Sequence, residues 1–155
     1  NSSATLAGLV LAALLISIAL PGPAARAGNF TIPAKEVIPE NGIFKFPVET
    51  FADKKARHFV YNHDTGKPIR FFIVKSSDEV IRAAFDACDV CWRNKKGYVQ
   101  KGDLMVCINC GMEFPTRRIN EAKGGCNPAP LNRTIKDNML IIDINDVVRG
   151  LGFFK

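Results

Sequence analysis

The five cysteines carry the chemistry that this sequence offers. They run as Cys88-Asp-Val-Cys91, then, after fifteen residues, Cys107-Ile-Asn-Cys110-Gly111, and then Gly124-Gly125-Cys126-Asn127-Pro128. Two C-x-x-C pairs at this separation match a four-thiolate metal site, in which each pair forms a turn that supplies two ligands. In such a turn backbone N–H groups point at the sulfurs and stabilise the thiolates. Gly111 follows the second pair, where a tight turn with positive φ is commonly needed. Trp92 occupies the matching place after the first pair, which is therefore less regular. Four thiolates suit zinc, iron as a single ion or in an iron–sulfur centre, or cuprous copper. Cys126, on its Gly-Gly-Cys-Asn-Pro turn, is a fifth thiol: a further ligand, a redox partner or a buried bystander.

Two other uses of the cysteines compete with metal binding. Disulfides are the default outside the cytoplasm, but five cysteines are an odd number, and a bridge inside C-x-x-C is typically redox-active. Thiol–disulfide exchange needs a C-x-x-C opening a helix after a strand, and that frame is not visible here. Other groups carry weaker signals. His58 lies in a predicted strand and is a candidate ligand, although a lone strand histidine is more often packed or solvated. His63 stands at a turn and reads as solvated. Asp86 and Asp89 flank Cys88 as turn caps or as acceptors behind the ligands. Trp92 and Tyr98 could cover the centre, with ordinary packing the simpler role.

The elements that must position these residues read as mainly β. Short strands are expected at Val37-Ile38 and Ile43–Val48, around the turn Pro39-Glu40-Asn41-Gly42. Ala56–Asn62 and Ile69–Lys75 are stronger strands, rich in β-branched and aromatic residues. Val80–Phe85 completes a hairpin that runs into Cys88, with a helix over Asp78–Ala87 as the competing assignment. Trp92–Asp103 reads as a polar loop, Leu104–Val106 as a strand leading into Cys107, and Met112–Ile119 as its continuation. Met139–Ile144 is the last strand. A short helix then starts at a cap on Asn145 or Asp146 and ends at Gly150 and Gly152. Eleven phenylalanines among 155 residues suit a ring-packed core. The expected fold is a small sheet or barrel-like β-rich α+β domain with a zinc-ribbon-like four-cysteine subsite, preceded by an N-terminal hydrophobic helix.

Leu6–Leu20 is an uncharged apolar run, followed by Pro21-Gly22-Pro23 and Ala25-Arg26-Ala27-Gly28. This is the order of a secretory signal with a small-x-small cleavage site. Extended to residues 4–20, the run reaches the lower limit of a membrane-spanning helix. Residues 1–27 are thus a signal peptide or a retained anchor, and residues 28–155 one extracytoplasmic domain. The net charge of +6 fits cations offsetting thiolate charge around the cysteines. An export segment argues against nucleic acid as the partner of the basic residues. A retained helix could also join copies of the chain into a homo-oligomer.

The run Ala84-Phe85-Asp86-Ala87-Cys88-Asp89-Val90-Cys91, then Lys96-Gly97-Tyr98, Cys107-x-x-Cys110 and Gly124-Gly125-Cys126-Asn127-Pro128, resembles the C-terminal domain of FtrD-like membrane iron–sulfur proteins. Phe71–Lys75 and Asp143–Phe154 are similar too, and the resemblance spans roughly residues 35–155. It implies a cysteine-bound metal or redox centre facing the periplasm or cell exterior. Its implied partners are membrane-associated redox or metal-transport proteins, including ferrous iron uptake components. The larger family members have a multi-helix membrane region, whereas this sequence carries one apolar segment. The resulting expectation is electron transfer or iron handling. A structural zinc site in an accessory subunit is a second possibility, and thiol–disulfide exchange or metal reduction a third.

Overall fold

The strand Pro68–Lys75 has six consecutive residues buried, from Ile69 to Val74. A strand turns alternate side chains to opposite faces, so a continuous buried run requires cover on both sides. The computed structural model, which describes residues 30–155, shows that cover. The described residues form ten strands: β1 (Lys35–Glu36), β2 (Ile43–Pro47), β3 (Arg57–Asn62), β4 (Pro68–Lys75), β5 (Ile81–Phe85), β6 (Tyr98–Lys101), β7 (Leu104–Cys107), β8 (Glu113–Pro115), β9 (Thr134–Lys136) and β10 (Met139–Asp143). They form three open sheets, ordered β1-β3-β4-β5, β2-β10-β9 and β6-β7-β8.

The first sheet is the middle layer. Ile69, Phe71 and Ile73 of β4 join Phe59, Ile81 and Phe85 in one core, shared with Phe44, Phe46, Leu140 and Ile142 of the second sheet. Phe72 and Val74 belong to a second core with Tyr98, Met105, Phe114 and three of the five cysteines, Cys88, Cys91 and Cys107, and Cys126 packs against it. Phe71 lies at the centre of the ring packing, with centroids 5.6 Å from Phe59, 6.1 Å from Phe44 and 6.4 Å from Phe46. Edge-on and offset contacts of this kind suit the ring quadrupoles. The hairpin of β4 and β5 pairs Phe71 with Phe85 and Val74 with Arg82.

Several expectations need correction. The sheets are open, so the domain is not barrel-like. The helix considered over Asp78–Ala87 does not form. Arg82, Ala83 and Ala84 are buried between two layers and pair with β4, so tertiary burial overrides the helix preference of alanine. The first strand falls on Lys35–Glu36 rather than Val37-Ile38, and pairs parallel to β3. The stretch read as a polar loop after Cys91 contains a 3-10 turn, Trp92–Asn94, and all of β6. Of Met112–Ile119 only Glu113–Pro115 is strand, followed by a 3-10 turn.

The C-terminal helix α1 (Ile144–Val148) is capped by Asp143, whose carboxylate accepts from the Asn145 N–H at 2.7 Å, rather than by Asn145 or Asp146. A 3-10 segment, Arg149–Phe154, carries the chain past both glycines expected to end it. Gly150 is required there by packing, since a Cβ would sit 2.5 Å from Phe85 Cζ. The apolar segment at residues 4–20 and the expected N-terminal helix lie outside the described residues. Among the described residues no helix is long and apolar enough to cross a membrane.

Phe71→Ala should leave a cavity at the meeting point of these rings. The expected loss is about 3–5 kcal/mol of unfolding free energy, read from the urea midpoint.

Candidate metal centre

Three separate segments bring the five sulfurs together. The first turn, Cys88–Cys91, follows directly from β5. Its Cys91 N–H donates to Cys88 Sγ at 3.2 Å, and the Trp92 N–H to the Cys88 carbonyl at 3.2 Å. The second turn, Cys107–Cys110, joins β7 to β8, and the Gly111 N–H donates to the Cys107 carbonyl at 2.8 Å. Gly111 has φ +75°, as its place after the turn requires. The two turns therefore share one backbone closure, with Trp92 tolerated where the other has glycine. Asn109 links them, donating from Nδ2 to Cys91 Sγ at 3.3 Å.

Cys126 arrives by a third route. Residues 129–131 run antiparallel to β5: Ala129 and Leu131 donate to the carbonyls of Ala87 and Ala83, and Phe85 donates to Ala129. Pro130, which lacks an N–H, falls at the bridge position opposite Ala84, so it costs the pairing nothing. This anchor brings the preceding turn back to the level of Cys88. The Tyr98 hydroxyl then holds the Cys126 carbonyl at 2.6 Å.

The thiols form two groups that could hold a metal, Cys88/Cys91/Cys126 and Cys91/Cys107/Cys110, with sulfurs in each group within 4.8 Å of one another. All five cysteines are free. The four expected ligands are thus divided between two groups, and Cys126 stands among them. Its sulfur lies 3.9 Å from that of Cys91. His58 is in neither group. Its ring is buried, with Nε2 3.1 Å from the Tyr98 carbonyl and 3.8 Å from Asp86. Burial lowers its pKa, and Nε2 donates to the Tyr98 carbonyl, which can only accept.

Behind the sulfurs stands Asp86. Its carboxylate accepts from the Tyr98 N–H at 2.7 Å and from Arg70 Nε at 3.3 Å. Burial raises its pKa, opposed by His58, Arg70 and these donors. Gly97 presses on the carboxylate, and a Cβ there would lie 2.6 Å from Asp86 Cγ. Arg70 also donates to the Ile32 carbonyl at 2.6 Å, and its guanidinium carbon lies 4.2 Å from the Phe30 ring centroid. The network was only partly legible in the sequence: Asp86 was expected to act behind the ligands, but Arg70 carried no signal. Asp89 and His63 are at the surface and outside both cysteine groups.

The thiols are not equivalent. Burial pushes Cys107 and Cys126 up to about 12. The Met112 N–H lowers Cys110, the one exposed cysteine. Tyr98 is pushed up by burial and by its contact with the Cys88 sulfur. Such donor-supported sulfurs, most of them shielded from water, suit a thiolate-bound metal or iron–sulfur centre.

A sequence profile of FtrD-like membrane iron–sulfur containing proteins matches residues 51–154. The chain belongs to this family, described as membrane-associated and iron–sulfur containing. Comparison with curated proteins and with solved structures finds no match.

Asp86→Ala would leave Arg70 buried without its partner. The expected cost is about 3–5 kcal/mol in denaturant unfolding. In metal-free, reduced protein, Cys110 should be alkylated before the other four cysteines as pH rises from acid, because its pKa is lowered and its sulfur exposed. Peptide mass spectrometry after brief iodoacetamide treatment checks this order.

Proposed function

We propose that this chain is an exported, membrane-anchored metalloprotein that passes electrons or iron to a partner in the same membrane system. The observation that carries the proposal is the convergence of five free thiols on one edge of the domain, three of them buried, Cys126 half-buried and Cys110 exposed. Cys88, Cys91, Cys107, Cys110 and Cys126 would hold the centre, which when loaded with iron supplies a one-electron couple. Each turn also presents an exposed apolar side chain nearby, Val90 in the first and Met112 after the second. A partner docking on such a surface would approach the Cys110 edge. Residues 1–27 would direct export, with the apolar run kept as the anchor and residues 28–155 outside the cytoplasm.

One observation favours a second reading. Two C-x-x-C turns beside the three-stranded β6-β7-β8 sheet also suit a zinc site in which the metal serves folding. Protein purified without added metal distinguishes the two. Bound iron with visible bands that bleach on dithionite reduction is expected. Colourless protein with stoichiometric zinc would overturn electron transfer, and metal-free protein with two disulfides would overturn both readings.

A further inference from the structure

A tetrahedral ion uses four thiolates, and a fifth placed in the same cluster needs its own reason. A tetrahedral ion with metal–sulfur bonds of about 2.3 Å sets sulfurs about 3.8 Å apart. The Cys91–Cys126 separation of 3.9 Å already has that value. Cys91 is the member shared by the two close groups, with Cys88 and Cys126 in one and Cys107 and Cys110 in the other, and Cys126 also interacts with Cys110. Cys91 is also the sulfur that Asn109, from the opposite turn, reaches at 3.3 Å.

We propose that the cluster binds two metal ions, with the Cys91 thiolate bridging them. Cys88 and Cys126 complete the protein ligands of one ion, Cys107 and Cys110 those of the other. Each ion has three protein sulfurs and one position for a ligand from solution, such as sulfide in an iron–sulfur centre. Charge favours this count. Counting protein thiolates and ions alone, five thiolates around one divalent ion leave about −3 and around two ions about −1, which a mostly buried site tolerates better. The same division explains the separate backbone anchor of residues 129–131, which sets Cys126 beside Cys88 and Cys91. It also explains why the four cysteines of the two C-x-x-C pairs do not gather into one compact set.

This inference rests on the cysteine cluster being a metal centre, and the test separates the two ideas. The full chain, reduced and stripped of metal, is titrated with Cd²⁺ and weighed by native mass spectrometry, then titrated with Co²⁺ and followed by electron paramagnetic resonance. Two Cd²⁺ per chain are expected, with the Co²⁺ signal falling as the second equivalent couples to the first through the shared thiolate. Cys126→Ser should drop the count from two to one. Cys91→Ser should leave at most one, with circular dichroism confirming that each variant is folded. One ion per chain in the parent protein, or an unchanged count in folded Cys126→Ser, would overturn the bridge and leave a single-metal centre standing. Two ions with uncoupled Co²⁺ signals would overturn it as well. No bound ion would overturn the metal centre itself.

Discussion

The Asp86 carboxylate joins the layers that carry the sulfurs. It is almost fully buried, 1% exposed, and a buried carboxyl is tolerated in a protein only when hydrogen-bond partners replace its lost water. Arg70 supplies one from the middle sheet and the Tyr98 backbone N–H another from the third sheet. Gly97 closes the space beside it, since only a residue without a Cβ fits there. Through Asp86 the end of β5, the start of β6 and the centre of β4 are held in one register. The first cysteine turn begins two residues further on. Arg70 extends the same network to Phe30 and Ile32, where the described chain begins.

The middle sheet has two tasks that its strands divide by alternation. Odd positions of β4 build the phenylalanine core against β2 and β10, and even positions face the cysteines. The cysteine layer is therefore built on a surface whose other side is already packed. Interiors of this density resist displacement, so the sulfurs are held by the domain and do not depend on metal alone for their positions. Backbone N–H groups reach Cys88 and Cys107 from within their own turns and Cys110 from Met112 just after its turn. Those donors lower the cost of holding several thiolates close together.

Exposure varies sharply across this cluster. Cys88 and Cys107 are sealed by Phe72, Tyr98 and Met105, while Cys110 meets solvent. A centre sealed on one side and open on the other is suited to exchange at a single edge. Membership of a membrane-associated iron–sulfur family agrees with that use.

The sequence by itself determined the local parts. Alternating and continuous apolar runs mark β2 to β5, β7 and β10, because burial on one or two faces leaves its period in the residue order. The two C-x-x-C turns and the glycine after the second are likewise local, since a turn's backbone requirement is met by its own residues. The motif run from Ala84 to Pro128 was enough to point to the family. Only the tertiary structure decided the rest. β6 looked like a polar loop because its burial comes from pairing with β7, not from its own composition. The pairing of residues 129–131 with β5 has no mark in residue order, because Pro130 falls at a position where its missing N–H is not needed. The partnership of Arg70 with Asp86 joins positions sixteen residues apart, and nothing in either neighbourhood marks it. The division of five thiols into two groups around Cys91 depends on where three distant segments meet, a distance relation that residue order does not contain.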